Sequence, residues 1–257
     1  MKIKTLDHKE WELSELLDNM HSDEFYYGYL GKNAFSSSSL KLLLDSPKTY
    51  KYVTQYGSEE SQALRDGKLF HTLVLEPNKL NEYHFVDVQS KNTKAYQEAK
   101  KEHKLVFTQK ELEDAERLAD AIFKNERAKE LLMKSEFEIP AAGVLYGYPF
   151  RAKADILKPG AIVDLKTTTD VRNFQFSAKK YRYALQVFIY CQLFNIEYKE
   201  FTFLCIDKSN LDIGIFTCSE DFYYSGEQML LEALETYKSY FETEGTDVND
   251  YLIRGIL

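Results

Sequence analysis

The segments FRAKADIL (150–157) and AIVDLKTT (161–168), separated by Lys158, Pro159 and Gly160, constrain this chain more than any other stretch. Both are apolar runs of strand length, and Pro-Gly between them is turn chemistry, so an antiparallel hairpin is expected. A four-residue loop, Lys158 to Ala161, sets Leu157 opposite Ile162 and carries Asp155 opposite Asp164. Directly paired residues share a face, with Cβ atoms roughly 5 Å apart. Strand alternation puts Ile162, Asp164 and Lys166 on one face, and Val163, Leu165 and Thr167 on the other. Two carboxylates that close repel, and burying charge costs free energy unless a partner compensates. Lys166 supplies one cation on the same face. A divalent metal would supply a better one.

That constellation suits phosphodiester hydrolysis. Hard carboxylate oxygens hold Mg²⁺ or Mn²⁺ and leave positions open for substrate and water. A metal so held polarises the phosphoryl oxygen and acidifies bound water. Lys166 can orient the attacking water or neutralise developing charge. The carbonyl of Leu165, between Asp164 and Lys166, is a further candidate ligand. The competing reading of Asp164 and Lys166 is a plain ion pair on a wet face, worth under ~1 kcal/mol.

Bulk properties narrow the class. With 257 residues, 44% apolar and 29% charged, the chain has the size and composition of a folded globular protein. A net charge of −8 argues against a generally basic nucleic-acid-binding surface, but not against a local basic channel. Cys191, Cys205 and Cys218 are widely spaced, so neither a zinc or iron–sulfur site nor a disulfide framework is expected. No apolar run has the length of a signal peptide core or a membrane span, so a cytoplasmic protein without membrane association is expected.

Along the chain, residues 1–35 read as an N-terminal arm, with an amphipathic stretch from Trp11 to Leu17 and the aromatic cluster Phe25 to Tyr29. Residues 36–257 read as one domain. The serines at 36–39 predict a helix starting near Ser39, which Pro47 interrupts or restarts. Helices are expected over 60–76, 111–134, 177–194 and 221–241. A short strand is expected near 82–88, with 78–110 otherwise mixed. Five strands are expected, over 137–147, 148–157, 161–167, 199–207 and 212–218. The pattern predicts an α/β fold with a helical N-terminal portion.

Further residues carry candidate roles. Arg151 and Lys153 alternate onto the face of Asp155, and Lys179, Lys180 and Arg182 precede a helix face; these cations form a candidate phosphate-contacting lining. Singly, each also fits a solvated surface charge. Glu136 or Glu138 is a candidate accessory carboxylate, with no basis for choosing between them. Tyr26, Tyr27 and Tyr29 fit base stacking or packing of the arm onto a core.

Ala154-Asp155 followed by Asp164-Leu165-Lys166 resembles the PD-(D/E)XK nuclease superfamily, with Ala154 where the name-giving proline would stand. The segments FSSSSLKLLLDSPKTYKY (35–52), ALRDGKLFHTLVLEP (63–77), FRAKADIL, VDLKTT and YRYALQVFIY (181–190) are more specifically similar to the exonuclease VIII (RecE) branch with its RecB-type nuclease domains. The resemblance spans about residues 35–194. It implies a restriction-endonuclease-like core, a mixed central sheet flanked by helices. It implies a metal-dependent double-strand DNA exonuclease, degrading one strand 5′ to 3′ and leaving 3′ overhangs for recombination by annealing. Such enzymes often serve phages or prophages beside a RecT-like single-strand annealing protein, and tend to form ring-shaped homo-oligomers. The resemblance makes His71, one turn after Gly67, a metal ligand with Asp155 and Asp164, and turns Gln186 and Tyr190 toward DNA. The missing side chain at Gly67 would let another backbone approach. A restriction-type endonuclease on the same fold, or an end-binding protein without chemistry, are the alternatives.

Overall fold

In the computed structural model, which describes residues 1–58 and 60–255, the chain opens on a small hairpin of β1 (Lys2–Lys4) and β2 (Glu10–Glu12). Helix α1 (Leu13–Asn19), a π-helical turn at Glu24–Tyr29 and α2 (Leu30–Asn33) follow. Ile3, Trp11, Leu16, Met20, Tyr26 and Leu30 bury one another there, with Ala142 of the main body against them.

Serine side chains start the next three helices by accepting otherwise orphaned N–H groups. Ser36 caps α3 (Ser37–Asp45) in a reciprocal capping box with Ser39. Ser46 caps α4 (Pro47–Tyr56), where Pro47 takes the first turn. Ser61 caps α5 (Gln62–Leu75). Beyond them come β3 (His84–Val86), α6 (Lys94–Glu102) and β4 (Val106–Thr108), then α7 (Gln109–Lys124) and α8 (Glu126–Leu132). β3 and β4 pair in parallel.

The central sheet is built from β5 (Glu136–Leu145), β6 (Tyr148–Lys158) and β7 (Ala161–Thr168). After α9 (Phe174–Lys180) and α10 (Tyr183–Phe194), β8 (Phe201–Asp207) and β9 (Ile213–Thr217) complete it, and α11 (Glu220–Tyr237) follows. Strand order is β5-β6-β7-β8-β9, with only β7 and β8 parallel. The helices α9 and α10 bridge that parallel pair, which a hairpin cannot do. Helices cover both faces. Leu69, Phe70, Leu118 and Ile122 of α5 and α7 pack on Ile156, Val163, Leu165, Leu204 and Ile206. Val187 and Cys191 of α10 pack on Ala154, Ile162, Phe201, Phe203 and Cys205. All three cysteines are buried and reduced. No helix among the described residues is long and apolar enough to cross a membrane.

The strands lie within two residues of their expected positions, but two helical expectations fail for identifiable reasons. The helix expected over 111–134 is two helices, because Asn125 turns its side chain to the Ala128 N–H and caps a new start. The helix expected over 177–194 breaks at Arg182, which has φ +52°. Tertiary bonds hold that residue: its guanidinium donates to Asp45 Oδ1 at 2.6 Å and to the Lys41 carbonyl at 3.2 Å. The lysine-rich segment forms α6, capped by Thr93 and anchored by buried Tyr96, whose hydroxyl donates to the Val106 carbonyl.

Helices α10 and α11 touch backbone to backbone at Gly226, where a Cβ would stand 2.1 Å from the Ala184 carbonyl oxygen. A side chain there must push the helices apart. Gly226→Val should destabilise the fold by about 3 kcal/mol, read from denaturant unfolding; an unchanged midpoint would show that this contact is not tight in solution.

Candidate active site

The β6–β7 ladder ends at Ile156–Val163, one pair short of the two aspartates. Its register does carry Asp155 opposite Asp164, yet the strands have parted there. β6 stays with β5 and β7 stays with β8. Across the opening, the Leu165 N–H donates to Asp155 Oδ2 at 2.9 Å. This keeps a backbone donor satisfied where no strand partner exists.

Asp155 also breaks the alternation of β6. Ala154 packs with α10, whereas Ile156, two residues on, packs with α5 and α7 on the opposite face. Directly across on β5, between the pairs Phe137–Ile156 and Ile139–Ala154, Glu138 has φ +53°. A left-handed glutamate is uncommon and marks a constrained position. The consequence is convergence. His71 Nδ1 of α5 lies 3.6 Å from Asp155 Oδ2. One donor atom each from His71, Glu138 and Asp155 all lie within 4.8 Å of one another.

Asp164 turns the other way. It is 1% exposed, and its Oδ1 accepts a 2.6 Å hydrogen bond from Gln186 Nε2 of α10. Its Oδ2 pairs with the Lys166 ammonium, whose Nζ lies 2.5 Å away. The site residues thus fall into two adjoining groups: His71–Glu138–Asp155, and Gln186–Asp164–Lys166.

The electrostatics follow from burial. Glu138 is pushed up to about 8, first by desolvation and then by the Asp155 charge. Asp164 is raised by burial, against the opposing pull of Lys166. Burial works against the Lys166 charge, but Asp164 and Asp155 overcome it and hold the ammonium protonated. Two carboxylates and an imidazole converging, beside the buried Asp164 carboxylate, form a donor set that fits a divalent cation. Oxygen donors favour Mg²⁺, and the imidazole accommodates Mn²⁺ as well.

The remaining candidates are placed as follows in the molecule. Glu136 is exposed, so Glu138 is the carboxylate that the site contains. The Leu165 side chain is in the core, and its N–H, not its carbonyl, is what meets Asp155. Gln186 is buried on Asp164 and not on an open surface. Tyr190 is packed near Phe194 and Phe201. Arg151 is not part of an open lining: its guanidinium stacks 4.3 Å from the Tyr26 ring and donates to the Leu30 carbonyl. Lys153 is buried likewise, 3.5 Å from Asp23 and 4.6 Å from the Tyr26 ring. The arm occupies both cations, which alternation along β6 alone does not reveal. Lys179 is exposed, while Arg182 is committed to Asp45. Gly67 is not a close-approach glycine, since nothing lies within 4 Å of where its Cβ would be.

One neighbour of the site was not singled out from sequence. Lys41 of α3 lies 5.1 Å from the Tyr183 ring, on which Lys166 also sits at 5.3 Å. No local motif marks it; only the folding of α3 against α10 brings it in.

Comparison with known proteins places this geometry. A family model described as a PDDEXK-like domain of unknown function (DUF3799) matches residues 36–248. Among solved structures, a protein from Eubacterium rectale described as a "putative exonuclease" is similar, with TM-score 0.64 and 17% sequence identity. The match covers 92% of this chain and 95% of that one. No curated protein matches the chain. At that identity, the solved relative speaks for the fold.

Proposed function

Because the chain belongs to the PDDEXK-like family matched over residues 36–248, we propose that it is a divalent-metal-dependent deoxyribonuclease that works from duplex ends. The observation that carries this reading is the juxtaposition, at the parting of β6 and β7, of the His71–Glu138–Asp155 donors with the Asp164–Lys166 pair. A bound Mg²⁺ or Mn²⁺ would supply Lewis acidity and an acidified water.

The chain's own residues do the rest. His71, Glu138 and Asp155 would hold the ion. Asp164 stands beside that group, with one oxygen on Gln186 and the other paired with Lys166. Lys166 stays charged and so does not serve as a proton acceptor. Its ammonium stands where negative charge develops on the reacting phosphate, a preorganised electrostatic role. Gln186 fixes the Asp164 carboxylate in orientation.

The exonuclease reading is finer than the fold and rests on the similarity of residues 35–194 to RecE-type enzymes. On it, one strand is removed 5′ to 3′, the product carries a 3′ overhang, and a single-strand annealing protein and a ring-shaped homo-oligomer are the expected partners. Residues 36–257 form the nuclease domain and 1–35 its arm.

The test is digestion of linear and closed circular duplex DNA with Mg²⁺, with Mn²⁺ and with EDTA, using strands labelled at each end. Metal-dependent loss of the 5′ label on linear DNA alone is the expected result. Cutting of circular DNA would instead make the protein an endonuclease on this fold. Folded protein that binds ends but never cleaves would leave it an end-binding protein.

A further inference from the structure

Lys41 is a half-buried ammonium. It makes no ion pair, and its Nζ makes no hydrogen bond, among the described residues. The two carboxylates of its neighbourhood are taken: Asp164 by Lys166 at 2.5 Å and Asp45 by Arg182 at 2.6 Å. The backbone there is locked as well, because the Lys41 carbonyl accepts from Arg182 Nη1. The Lys41 and Lys166 ammoniums stand on one aromatic ring, 5.1 and 5.3 Å from the Tyr183 centroid. Desolvation first, and the Lys166 charge second, pull Lys41 down to about 8, against a smaller opposing pull from Asp164. Like charges held together at a half-buried place are unfavourable unless an anion joins them.

We propose that Lys41 binds a backbone phosphate of the cleaved strand next to the scissile one, so that Lys41 and Lys166, which share the Tyr183 ring, grip consecutive positions. This rests on the nuclease reading above. Three features favour it. The ring offers a flat apolar floor that holds the two ammoniums without neutralising either. Asp45 and Arg182 pin α3 to the start of α10, which fixes where Lys41 can reach. Lys41 comes from α3, whereas His71, Asp155 and Lys166 come from α5, β6 and β7, so a strand gripped at both lysines is aligned along the opening.

The experiment compares Lys41→Met, Lys41→Arg and, as a surface control, Lys94→Met, whose side chain is 89% exposed. Methionine keeps the stem that packs on Tyr183 and removes the charge. Lys41→Met should raise the KM for duplex DNA about tenfold, with kcat changed less than about twofold, the signature of lost binding rather than lost chemistry. The slope of log KM against log salt should flatten by about 0.9, the loss of one phosphate contact. Lys41→Arg should stay within about threefold of the natural protein, and Lys94→Met should not move either quantity. Anisotropy binding to a labelled duplex in EDTA should show the same tenfold loss without any need for cleavage.

An unchanged KM and salt slope in Lys41→Met, in protein that digests DNA, would overturn the inference and leave the nuclease reading intact. So would a fall in kcat at constant KM. Absence of both cleavage and DNA binding in the natural protein would overturn the two together. A thermal melt matching the natural protein excludes a folding explanation of the methionine result.

Discussion

Asp155→Asn should lower DNA cleavage by about 10³-fold or more while leaving the protein folded. An asparagine carbonyl oxygen can still accept the Leu165 N–H now held at 2.9 Å, so the bridge across the parted strands survives. What disappears is the charge that His71 faces at 3.6 Å and that holds Glu138 up. Two consequences separate this from a structural defect. The affinity for Mn²⁺, read by calorimetry on the protein alone, should fall by at least an order of magnitude. The unfolding midpoint should move little, because a buried like-charge contact is lost along with the carboxylate. Cleavage near the natural rate would remove Asp155 from the chemistry and, with it, the reading of the trio as a metal centre.

Lys166→Met is expected to act on stability as well as on activity. Asp164 is 1% exposed, and Lys166, at 2.5 Å, is its one ion-pair partner among the described residues. Removing one partner of a buried pair strands the other, and about 3–5 kcal/mol is the usual cost. The sign of the pH dependence follows from Asp164. Its folded-state pKa lies above the unfolded value, and losing Lys166 raises it further. A raised carboxylate binds more protons folded than unfolded, so its cost grows as pH rises through the carboxylate range and then levels off. In EDTA, the gap between Lys166→Met and the natural protein should therefore be widest near neutral pH and narrow toward pH ~4. Adding Asp164→Asn to Lys166→Met should recover most of the lost stability, since Gln186 can still bond the amide, but should not restore cleavage. A single variant as stable as the natural protein at neutral pH would show that Asp164 is already neutral there.

Much of this site was legible in the residues, and the missing part has one origin. The hairpin register is local: a Pro-Gly turn and two apolar runs determine it, and the observed pairs Leu157–Ile162 and Ile156–Val163 follow. The helix starts at Ser36, Ser46 and Ser61 are local too, because capping involves only neighbouring atoms. The side on which Asp155 emerges is not local. Period-two alternation assigns it to the face of Ala154's neighbours on the assumption of an unbroken strand, and the break at Asp155 depends on β5, where Glu138 adopts a left-handed backbone. The choice of Glu138 over Glu136 depends on that same break. Asp164 turns toward α10 because Gln186 waits there, a contact between residues 22 apart in sequence. The cations Arg151 and Lys153 look like surface charges in a linear reading, because their partners, Leu30 and Asp23, lie more than a hundred residues away.

The arm shows what such distant partners mean for the molecule as a whole. The family match begins at residue 36, yet two charges in the middle of the central sheet have their acceptor, counter-ion and aromatic floor before that point. Phe35 adds a backbone clasp, its N–H on the Pro149 carbonyl and its carbonyl receiving the Arg151 N–H. The border of the family match and the border of the packed contacts are thus two different places. The segment that precedes the family match is, in energetic terms, the plug of the sheet inside it.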